Sequence, residues 1–473
     1  MASEAGRFTT GSTMRHVAVM TLTGSLGLSF MFLIDFATLF YISLLEDETL
    51  TAGVGFAWAV QFFTISIGIG MAIGTMALVS RAIGALDKPR ARRIATAATL
   101  MTVAALAAAA VVVLIFRAPI LGLIEASGPS REIADRFLLI SVPSLPFVGM
   151  AMITSSILRA EGDARRSMMV TMAGGLAAMV LDPLLIFGLD LGVDGAAYAI
   201  VLSRMISAGI GLMYCIRAHD LMARPRLGDI PEHARPYLAI ALPAIATQLS
   251  TPVGNFILTR AVAEYGDSAV AGWAVATRLT VLAFGGIFAL SGAVGGIFGQ
   301  NYGAKLPDRI RMAYRDSLIF ALGYVIVTWT LLMIMAPFIA DWFGLSGVGA
   351  DVLISFCYIG GGGFVFAGML FVANAAFNNL GHPLWSTAFN WTRDAAAIPL
   401  VLLVIGASLG ATGPVWAQAL AALSVGLIAV IVGWRLANNV TFAEGEQRPG
   451  AIPAAPVSGK AANAVLLNED RVD

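Results

Sequence analysis

The chain has 473 residues and no formal net charge; 58% of its residues are hydrophobic and only 12% are charged. Its mean hydropathy is +0.83. Soluble domains carry about 25% charged residues, so this composition excludes a soluble enzyme with one incidental anchor. The equal numbers of basic and acidic residues, 29 of each, also argue against nucleic acid as a main partner. The lipid bilayer is the expected surrounding.

Twelve apolar segments follow in chain order, each long enough to cross a bilayer as a helix. They cover about 17–45, 52–80, 94–116, 133–158, 168–189, 195–216, 237–262, 268–299, 312–338, 350–377, 384–407 and 412–435. The predicted fold is all-α and integral to the membrane, with twelve transmembrane helices. Its predicted parts are an N-lobe at 1–216, a cytoplasmic linker at 217–236, a C-lobe at 237–436 and a disordered cytoplasmic tail at 437–473.

Lysine and arginine are concentrated in the loops on one side of this predicted bundle. Sixteen of them fall in the loops after helices 2, 4, 6 and 8, whereas the opposite side shows only Arg117, Arg131 and Arg136. Basic residues in short loops stay in the cytoplasm. The distribution therefore predicts that both termini are cytoplasmic.

Short motifs of the first half return in the second half about 219 residues later. The Gly-Ala pair at 84–85 recurs at 303–304, and Gly162 recurs as Gly381. Each half holds six helices, an even number, so the two copies share one orientation and are related by an axis along the membrane normal. The repeat predicts two six-helix lobes in a parallel pseudo-twofold arrangement, with a cleft between them.

The chain lacks the sequence patterns of ATP hydrolysis and metal binding. Gly459-Lys460 is followed by Ala461 and does not form a P-loop. Cys215 and Cys357 lie far apart in apolar runs, and the four histidines lie at the ends of such runs or between them. We therefore expect no enzyme activity, no metal site and no cofactor other than a coupling ion, H⁺ or Na⁺.

Two carboxylates, Asp35 in helix 1 and Asp182 in helix 5, fall at similar depth in the outer half of the predicted membrane. Ionisable groups there are costly and are functional candidates by default. Two neighbouring carboxylates in a low dielectric cannot both ionise cheaply, so such a pair can exchange a proton or hold a cation. The alternative is that each acid only bonds a neighbouring helix. Pro183 predicts a bend in helix 5 directly after Asp182.

The second half has no equivalent pair, because Asp35 and Asp182 align with Gly254 and Val401. Helix 11 instead carries Arg393 and Asp394, which either form structural ion pairs with other helices or take part in substrate binding or coupling. Adjacent helical residues point about 100° apart, so these two need not pair with each other. The full set of candidates for the substrate cleft is Gln61, Gln248, Asn255, Trp273, Asn374, Asn378, Arg393 and Asp394.

Together these features resemble the multidrug and toxic compound extrusion (MATE) family of transporters over about 15–435. The marks are the helix 1 acid Asp35, the helix 5 motif at 181–185, the Gly-Ala loop at 84–85 and its second copy within 299–304. The resemblance implies a V-shaped cleft between the lobes and export of mostly cationic amphiphiles in exchange for H⁺ or Na⁺. Asp35 and Asp182 match the family's N-lobe coupling acids, which indicates the N-lobe-coupled prokaryotic branch.

The chain departs from that branch at two polar positions. Ala178 stands where the family usually has asparagine, and Ile200 where it usually has threonine. The loss of these oxygen ligands favours H⁺ over Na⁺. We expect a monomeric antiporter of the bacterial inner membrane that exports small cationic or amphiphilic drugs. The alternative is a flippase for lipid-linked saccharides, which would be expected to carry a markedly basic cleft.

Overall fold

The structure is a computed structural model that describes residues 6–45, 48–123, 127–226 and 228–442. Most of the predicted tail at 437–473 therefore lies outside the described residues. The side chains at positions 35, 39, 43 and 48 also lie outside the described part. Within that part nearly every residue is helical and no strand occurs.

The described chain forms twelve long helices, numbered α1 to α12. Their bounds are Thr13–Ser43, Glu48–Gly84, Lys88–Leu123, Gly128–Glu161, Ala164–Gly188, Gly192–Ala218, Asp229–Ala263, Asp267–Gly303, Pro307–Trp342, Val348–Asn379, 383–409 and Gly413–Asn438. A 3-10 turn interrupts α4, and π-helical turns occur in α5, α6, α10 and α11.

Ten helical stretches of the described chain are long and apolar enough to cross a membrane. The last of them, Pro383–Asn438, has 56 residues and contains both α11 and α12, which separate at Gly410. The one long helix of the described chain outside these ten stretches is α7, which has 35 residues but is less apolar and contains three prolines. Twelve transmembrane helices, as predicted, are confirmed.

Local sequence explains where several helices begin and end. The Ser12 hydroxyl accepts a hydrogen bond from the Arg15 N–H at 3.4 Å and caps the start of α1. The Asp163 carboxylate accepts one from the Arg166 N–H at 3.0 Å and caps α5. Between α4 and α5, Gly162 has a φ of 96°, a conformation that residues with a Cβ rarely adopt.

The backbone repeats the predicted offset. Left-handed residues occur at matching places in the two halves, and their φ angles agree within 8°. The matched pairs are Leu86 (61°) with Lys305 (53°), Gly128 (59°) with Gly347 (54°), Gly162 (96°) with Gly381 (96°), and Gly192 (54°) with Gly410 (56°). The chain therefore folds into two six-helix lobes with the same course, as the motif repeat predicted.

The lobes meet where α2 and α8 cross, on the side that holds the start of α1 and the ends of α2, α8 and α12. We call this the terminal side. A Cβ on Gly84 would lie 2.0 Å from the Gln300 carbonyl oxygen, and one on Gly303 would lie 2.0 Å from that of Arg81. Only glycine permits backbones to approach so closely. Since Gly84 and Gly303 are repeat partners, the crossing is itself symmetric.

Away from the terminal side, the contact between α1 and α8 loosens. A Cβ on Gly24 would lie 3.3 Å from the Cβ of Ala289. About one and a half turns farther along α1, the nearest atom to a Cβ on Gly285 is the Ser29 Oγ at 3.9 Å. Of these contacts between the lobes, those at Gly84 and Gly303 on the terminal side are thus the closest.

The linker predicted at 217–236 is shorter than expected. Helix α6 continues to Ala218, and α7 already begins at Asp229. Asp229 and Glu232 lie in the first turn of α7, where the helix dipole favours acidic side chains. The prediction followed hydropathy and therefore missed helical turns that extend beyond the apolar part of the chain.

Candidate functional site

The predicted coupling acid of α5, Asp182, is completely buried inside the N-lobe. The hydroxyl of Thr38 on α1 donates a hydrogen bond to its Oδ2. Its Oδ1 is buried and has no hydrogen-bond partner among the described residues. Pro183 follows, and the chain continues as the π-helical turn Leu184–Gly188. The carboxylate thus has one satisfied oxygen and one that is open to a proton or another donor.

Asp35 lies on α1 one turn before Thr38, and its side chain falls outside the described part of the structure. The backbone of α1 is nevertheless placed against α5. A Cβ on Gly175 would lie 2.1 Å from the Ile34 Cδ1, and Thr38 reaches Asp182 one turn farther along. Both predicted acids therefore belong to the same pair of packed helices.

Ala178 and Ile200, which stand where the resemblance implies polar ligands, are both buried. Ala178 precedes Asp182 by one turn of α5, and Ile200 lies on the neighbouring helix α6; each is 7% exposed. Gly195 of α6 packs against the backbone of Leu185, which fixes the register of α5 and α6 near the acid. Thr38 is the one described side chain that contributes an oxygen directly to Asp182.

Gln61, predicted to line the cleft, is completely buried in the N-lobe instead. Its Oε1 accepts a hydrogen bond from Arg204 Nη2 at 2.7 Å, and its Nε2 donates to the Ser141 Oγ at 3.3 Å. Arg204 Nη1 also donates to the Ser144 Oγ at 2.8 Å, beside the 3-10 turn of α4. Gln61 thus helps to satisfy a guanidinium inside the lobe.

Asn374 and Asn378 are also buried, between α10 and α11. Asn390 Nδ2 donates to the Asn374 Oδ1 at 3.1 Å, and the Ser386 hydroxyl donates to the Asn378 Oδ1 at 3.2 Å. The structure therefore places both asparagines in a buried polar ladder between helices. The N-lobe has a counterpart at the repeat positions, where Arg159 Nη1 donates to the Ser167 Oγ at 3.2 Å.

Arg393 and Asp394 pair with each other, whereas the sequence favoured ion pairs with other helices or a role in binding or coupling. The guanidinium donates to both carboxylate oxygens, with Nε–Oδ1 at 2.7 Å and Nη2–Oδ2 at 2.9 Å. The long arginine side chain can fold back along α11, where the helix is π-helical over Thr392–Ala397. Asp394 also packs against Gly254, because a Cβ there would lie 3.0 Å from its own Cβ.

The remaining predicted cleft residues lie on α7 and α8. Asn255 is exposed and Gln248 is half-buried. Trp273 is buried, and its Nε1 donates to the Thr259 Oγ1 at 3.2 Å, joining α7 to α8. Asn255 and Gln248 therefore remain available to a ligand, whereas Trp273 positions the helices.

Hydrogen bonds between the lobes close the terminal side of the cleft. Arg81 Nε and Nη2 donate to the Asn379 carbonyl at 3.2 and 3.0 Å. At the repeat-related positions, Gln300 Nε2 donates to the Ala160 carbonyl at 2.6 Å. The N–H of Phe8 donates to the Gln300 Oε1 at 2.8 Å, which adds the segment before α1 to this closure.

Sequence reasoning did not predict the contacts of Thr38 with Asp182 or those of Arg81 and Gln300 between the lobes. Thr38 had a readable signal, since a hydroxyl three residues after Asp35 lies on the same helical face. For Arg81 and Gln300 the signal was their location beside the repeated glycines Gly84 and Gly303. No metal-binding group of three or more histidine, cysteine or acidic residues occurs in the part that the structure describes.

Known proteins match the chain along most of its length. The family model MatE matches residues 25–184 and 243–403, one segment in each lobe. An "FAD transporter" of Shewanella oneidensis is 29% identical over 329 residues, covering 68% of this chain and 72% of that protein. "Multidrug export protein MepA" of Staphylococcus aureus is 26% identical over 456 residues, covering 90% and 94%.

Solved structures share the fold. The outward-facing conformation of a multidrug resistance MATE family transporter of the MOP superfamily matches with a TM-score of 0.86 and 23% identity, covering 93% of this chain and 100% of that one. A MATE structure in the bent conformation matches with a TM-score of 0.84 and 22% identity, covering 92% and 98%. The family model spans both lobes, so this chain is a member of the MATE family of transporters.

Proposed function

We propose that the chain is a secondary active efflux transporter that exports cationic and amphiphilic drugs in exchange for protons. Family membership and the likeness to MepA already indicate a transporter related to multidrug export. The observation that carries the proposal is Asp182, a fully buried carboxylate with one oxygen bonded to Thr38 and the other without a described partner.

The surroundings of Asp182 favour a proton over a sodium ion. Hard cations such as sodium prefer several oxygen ligands, as oxygen-bound metal sites in proteins illustrate. Here Ala178 and Ile200 present only carbon, and Thr38 contributes the one described side-chain oxygen beside the carboxylate. A proton needs only one carboxylate oxygen, and Oδ1 is available.

Competition between proton and substrate would couple their movements. An ionised Asp35 and Asp182 attract a cationic substrate, whereas protonation removes that charge. The neutral form lets α1 repack on α5 through the Ile34–Gly175 and Thr38–Asp182 contacts. A ligand shifts a conformational equilibrium only by its differential affinity for the two states. Coupling therefore requires that the proton and the substrate favour different states of the transporter.

The proposed location is the bacterial inner membrane, with the terminal side in the cytoplasm. The basic loops after α2, α4, α6 and α8 all lie on that side, as the positive-inside rule requires. Hydrogen bonds from Arg81 and Gln300 close the same side. The described arrangement would then have its cleft open to the outside. The protein is proposed to act as a monomer.

Transport by proteoliposomes under an imposed gradient tests the coupling. Asp182→Asn and Asp35→Asn are expected to abolish efflux driven by a pH gradient without sodium, with normal folding. Asp316→Asn is a matched control, because Asp316 is also buried but bonds to Thr13 and Arg315 on another pair of helices. Transport that is silent under a pH gradient and begins only with a sodium gradient would overturn the proton assignment.

The flippase alternative is separated by its substrate. A flippase moves a lipid-linked saccharide between leaflets and is not expected to export dyes or drugs. Efflux of a cationic dye by the wild type, lost in Asp182→Asn, supports the proposal. Translocation of a labelled lipid-linked saccharide without dye efflux supports the alternative.

A further inference from the structure

The C-lobe wall of the cleft carries an arginine that the proposed coupling does not use. Arg278 lies on α8, 11 residues from its start, or about 16 Å along the helix axis. Its side chain is exposed, and it makes no hydrogen bond or ion pair within the part of the chain that the structure describes. An arginine at such a depth is costly unless it faces water or a partner.

The register of α8 places Arg278 on the face that meets the N-lobe. Arg278 precedes Gly285 by seven residues, which is two turns, so the two positions lie within about 20° of each other around the helix. Gly285 faces Ser29 of α1, and Ala289 faces Gly24 one turn farther along. Other faces of α8 are covered by its own lobe: Phe284 stacks on Phe364 with ring centroids 4.1 Å apart.

Arg278 therefore lies on the side of α8 that faces α1, two turns farther from the terminal side than Gly285. The last close approach found on this face is at Gly285, where a Cβ would lie 3.9 Å from the Ser29 Oγ. Leu282, one turn from Arg278 on this face, is 65% exposed, so this stretch of α8 is not covered by a neighbouring helix.

Exposed phenylalanines lie on α2 of the N-lobe, and one of them is on the side that faces the C-lobe. Phe62 and Phe63 of α2 are 49% and 55% exposed. Phe63 precedes Gly70 by two turns, and Gly70 faces Ile245 of α7 across the lobe boundary, so Phe63 shares the cleft-facing side. Under the repeat Arg278 corresponds to Ala59, one turn of α2 from Phe63. The cation and the rings therefore lie at similar depth.

The described acids inside the helices do not neutralise this arginine. Asp182 bonds Thr38, Asp394 pairs with Arg393, and Asp316 bonds Arg315 on the terminal side. Each of the three is buried in its own helix packing. An exposed guanidinium without a described partner suits a carboxylate or a phosphate, which it can bind through two parallel hydrogen bonds.

We propose that Arg278 anchors an anionic group of the substrate, so that the cleft accepts aromatic amphiphiles bearing a carboxylate or phosphate as well as cationic ones. The inference rests on the proposed function, since it concerns the same cleft. Cationic groups would be drawn to the N-lobe acids and anionic groups to the C-lobe wall. Arg278 would then determine specificity, without a part in proton coupling.

Equilibrium binding to the purified full-length protein tests this without an ion gradient. Riboflavin and its 5′-phosphate share one aromatic ring system and differ by a phosphate, and both are followed by fluorescence anisotropy. The wild type is expected to bind the phosphate at least about tenfold more tightly than riboflavin. Arg278→Gln is expected to reduce that preference to near unity, and Arg278→Lys to keep part of it.

Arg435→Gln is the matched control, because Arg435 is also exposed and unpaired in the described part but lies in the last turn of α12 on the terminal side. It should keep the full preference. Equal affinities of the wild type for the two flavins, or a preference that survives in Arg278→Gln, would overturn the proposal. Failure of proton coupling would leave this binding ratio unchanged, so the two proposals fail separately.

A competition experiment distinguishes a soluble anionic ligand from a lipid-linked one. A short polyprenyl pyrophosphate and soluble pyrophosphate are each titrated against the bound flavin phosphate in lipid nanodiscs. Displacement by soluble pyrophosphate that is lost in Arg278→Gln supports a soluble anionic substrate. Displacement by the lipid pyrophosphate alone would contradict it and assign the arginine to a lipid-linked anion.

Discussion

The glycine crossing of α2 and α8 makes a prediction about the conformational equilibrium of the transporter. A Cβ on Gly84 would lie 2.0 Å from the Gln300 carbonyl oxygen. The obstacle is backbone, which cannot rotate away as a side chain can. Carbon and carbonyl oxygen rest about 3.3 Å apart, so Gly84→Ala requires the two helices to separate by about 1.3 Å at this point.

The cost of that separation falls on one conformation only. Overpacking a well-packed contact costs about 1–3 kcal/mol. The penalty applies while the lobes meet on the terminal side and disappears when α2 and α8 move apart there. A difference of 1–3 kcal/mol between two states changes their ratio by about 5- to 150-fold. Gly84→Ala should therefore move the equilibrium toward the form that is open on the terminal side.

Distance measurement between spin labels tests this shift. Labels at Leu86 and Lys305, the repeat-related left-handed positions after α2 and α8, report the separation of the lobes on the terminal side. Cys215 and Cys357 are buried and are replaced by alanine in all variants. Gly84→Ala should add a population at longer distance.

Gly323→Ala on α9 is the control, because a Cβ there meets no atom within 4 Å. It adds the same methyl group inside a helix but away from the crossing. A distance distribution in Gly84→Ala that is the same as in Gly323→Ala would refute the reasoning, whether or not both differ from the wild type.

Three further predictions concern stability and the tail. Asp394→Asn leaves Arg393, whose side chain is only 12% exposed, without its carboxylate. The loss should cost on the order of 3–5 kcal/mol, seen as a lower melting temperature that Arg393→Gln restores in the double variant. A stable Asp394→Asn protein without transport would instead place the acid in the mechanism. Burial alone would raise the pKa of Asp163, but hydrogen bonds from the Arg166 N–H, from His219 and from the Arg166 guanidinium bring that pKa below its ordinary value of 3.8. Its stabilising effect is therefore present above the ordinary pKa and is lost as the pH falls through the lowered value. Wild type should melt at a higher temperature than Asp163→Asn at pH 7, and this difference should shrink as the pH falls below about 4. A difference that is unchanged in acid contradicts this. Deletion of residues 443–473 should leave transport near the wild-type rate, whereas a normally expressed truncation that loses most activity would show that this segment docks.

The sequence by itself determined the class and plan of this protein. Long apolar segments can cross a bilayer only as helices, because every backbone hydrogen bond must be made within the segment. The twelve helices and the two-lobe repeat could therefore be read from hydropathy and from motifs such as Gly162 and Gly381. Asp35 and Asp182 stood out for the same reason, since charge is rare and costly in such segments.

Only the tertiary structure decided what these residues touch. Helical periodicity says which side chains share a face, but it does not say which neighbour that face meets. Gln61, Asn374 and Asn378 were predicted for the cleft and are buried in polar contacts within their lobes. Arg393 and Asp394 pair with each other because a long side chain can span the turn between adjacent positions.

The functional geometry arises from contacts between segments far apart in the chain. Thr38 reaches Asp182 across 144 residues, and Gln300 reaches Ala160 across 140. No local pattern encodes such pairs, because they depend on the crossing of whole helices. The sequence alone could place the two acids in the membrane, but the packing of α1 on α5 and of α2 on α8 decides which oxygens are satisfied and where the cleft opens.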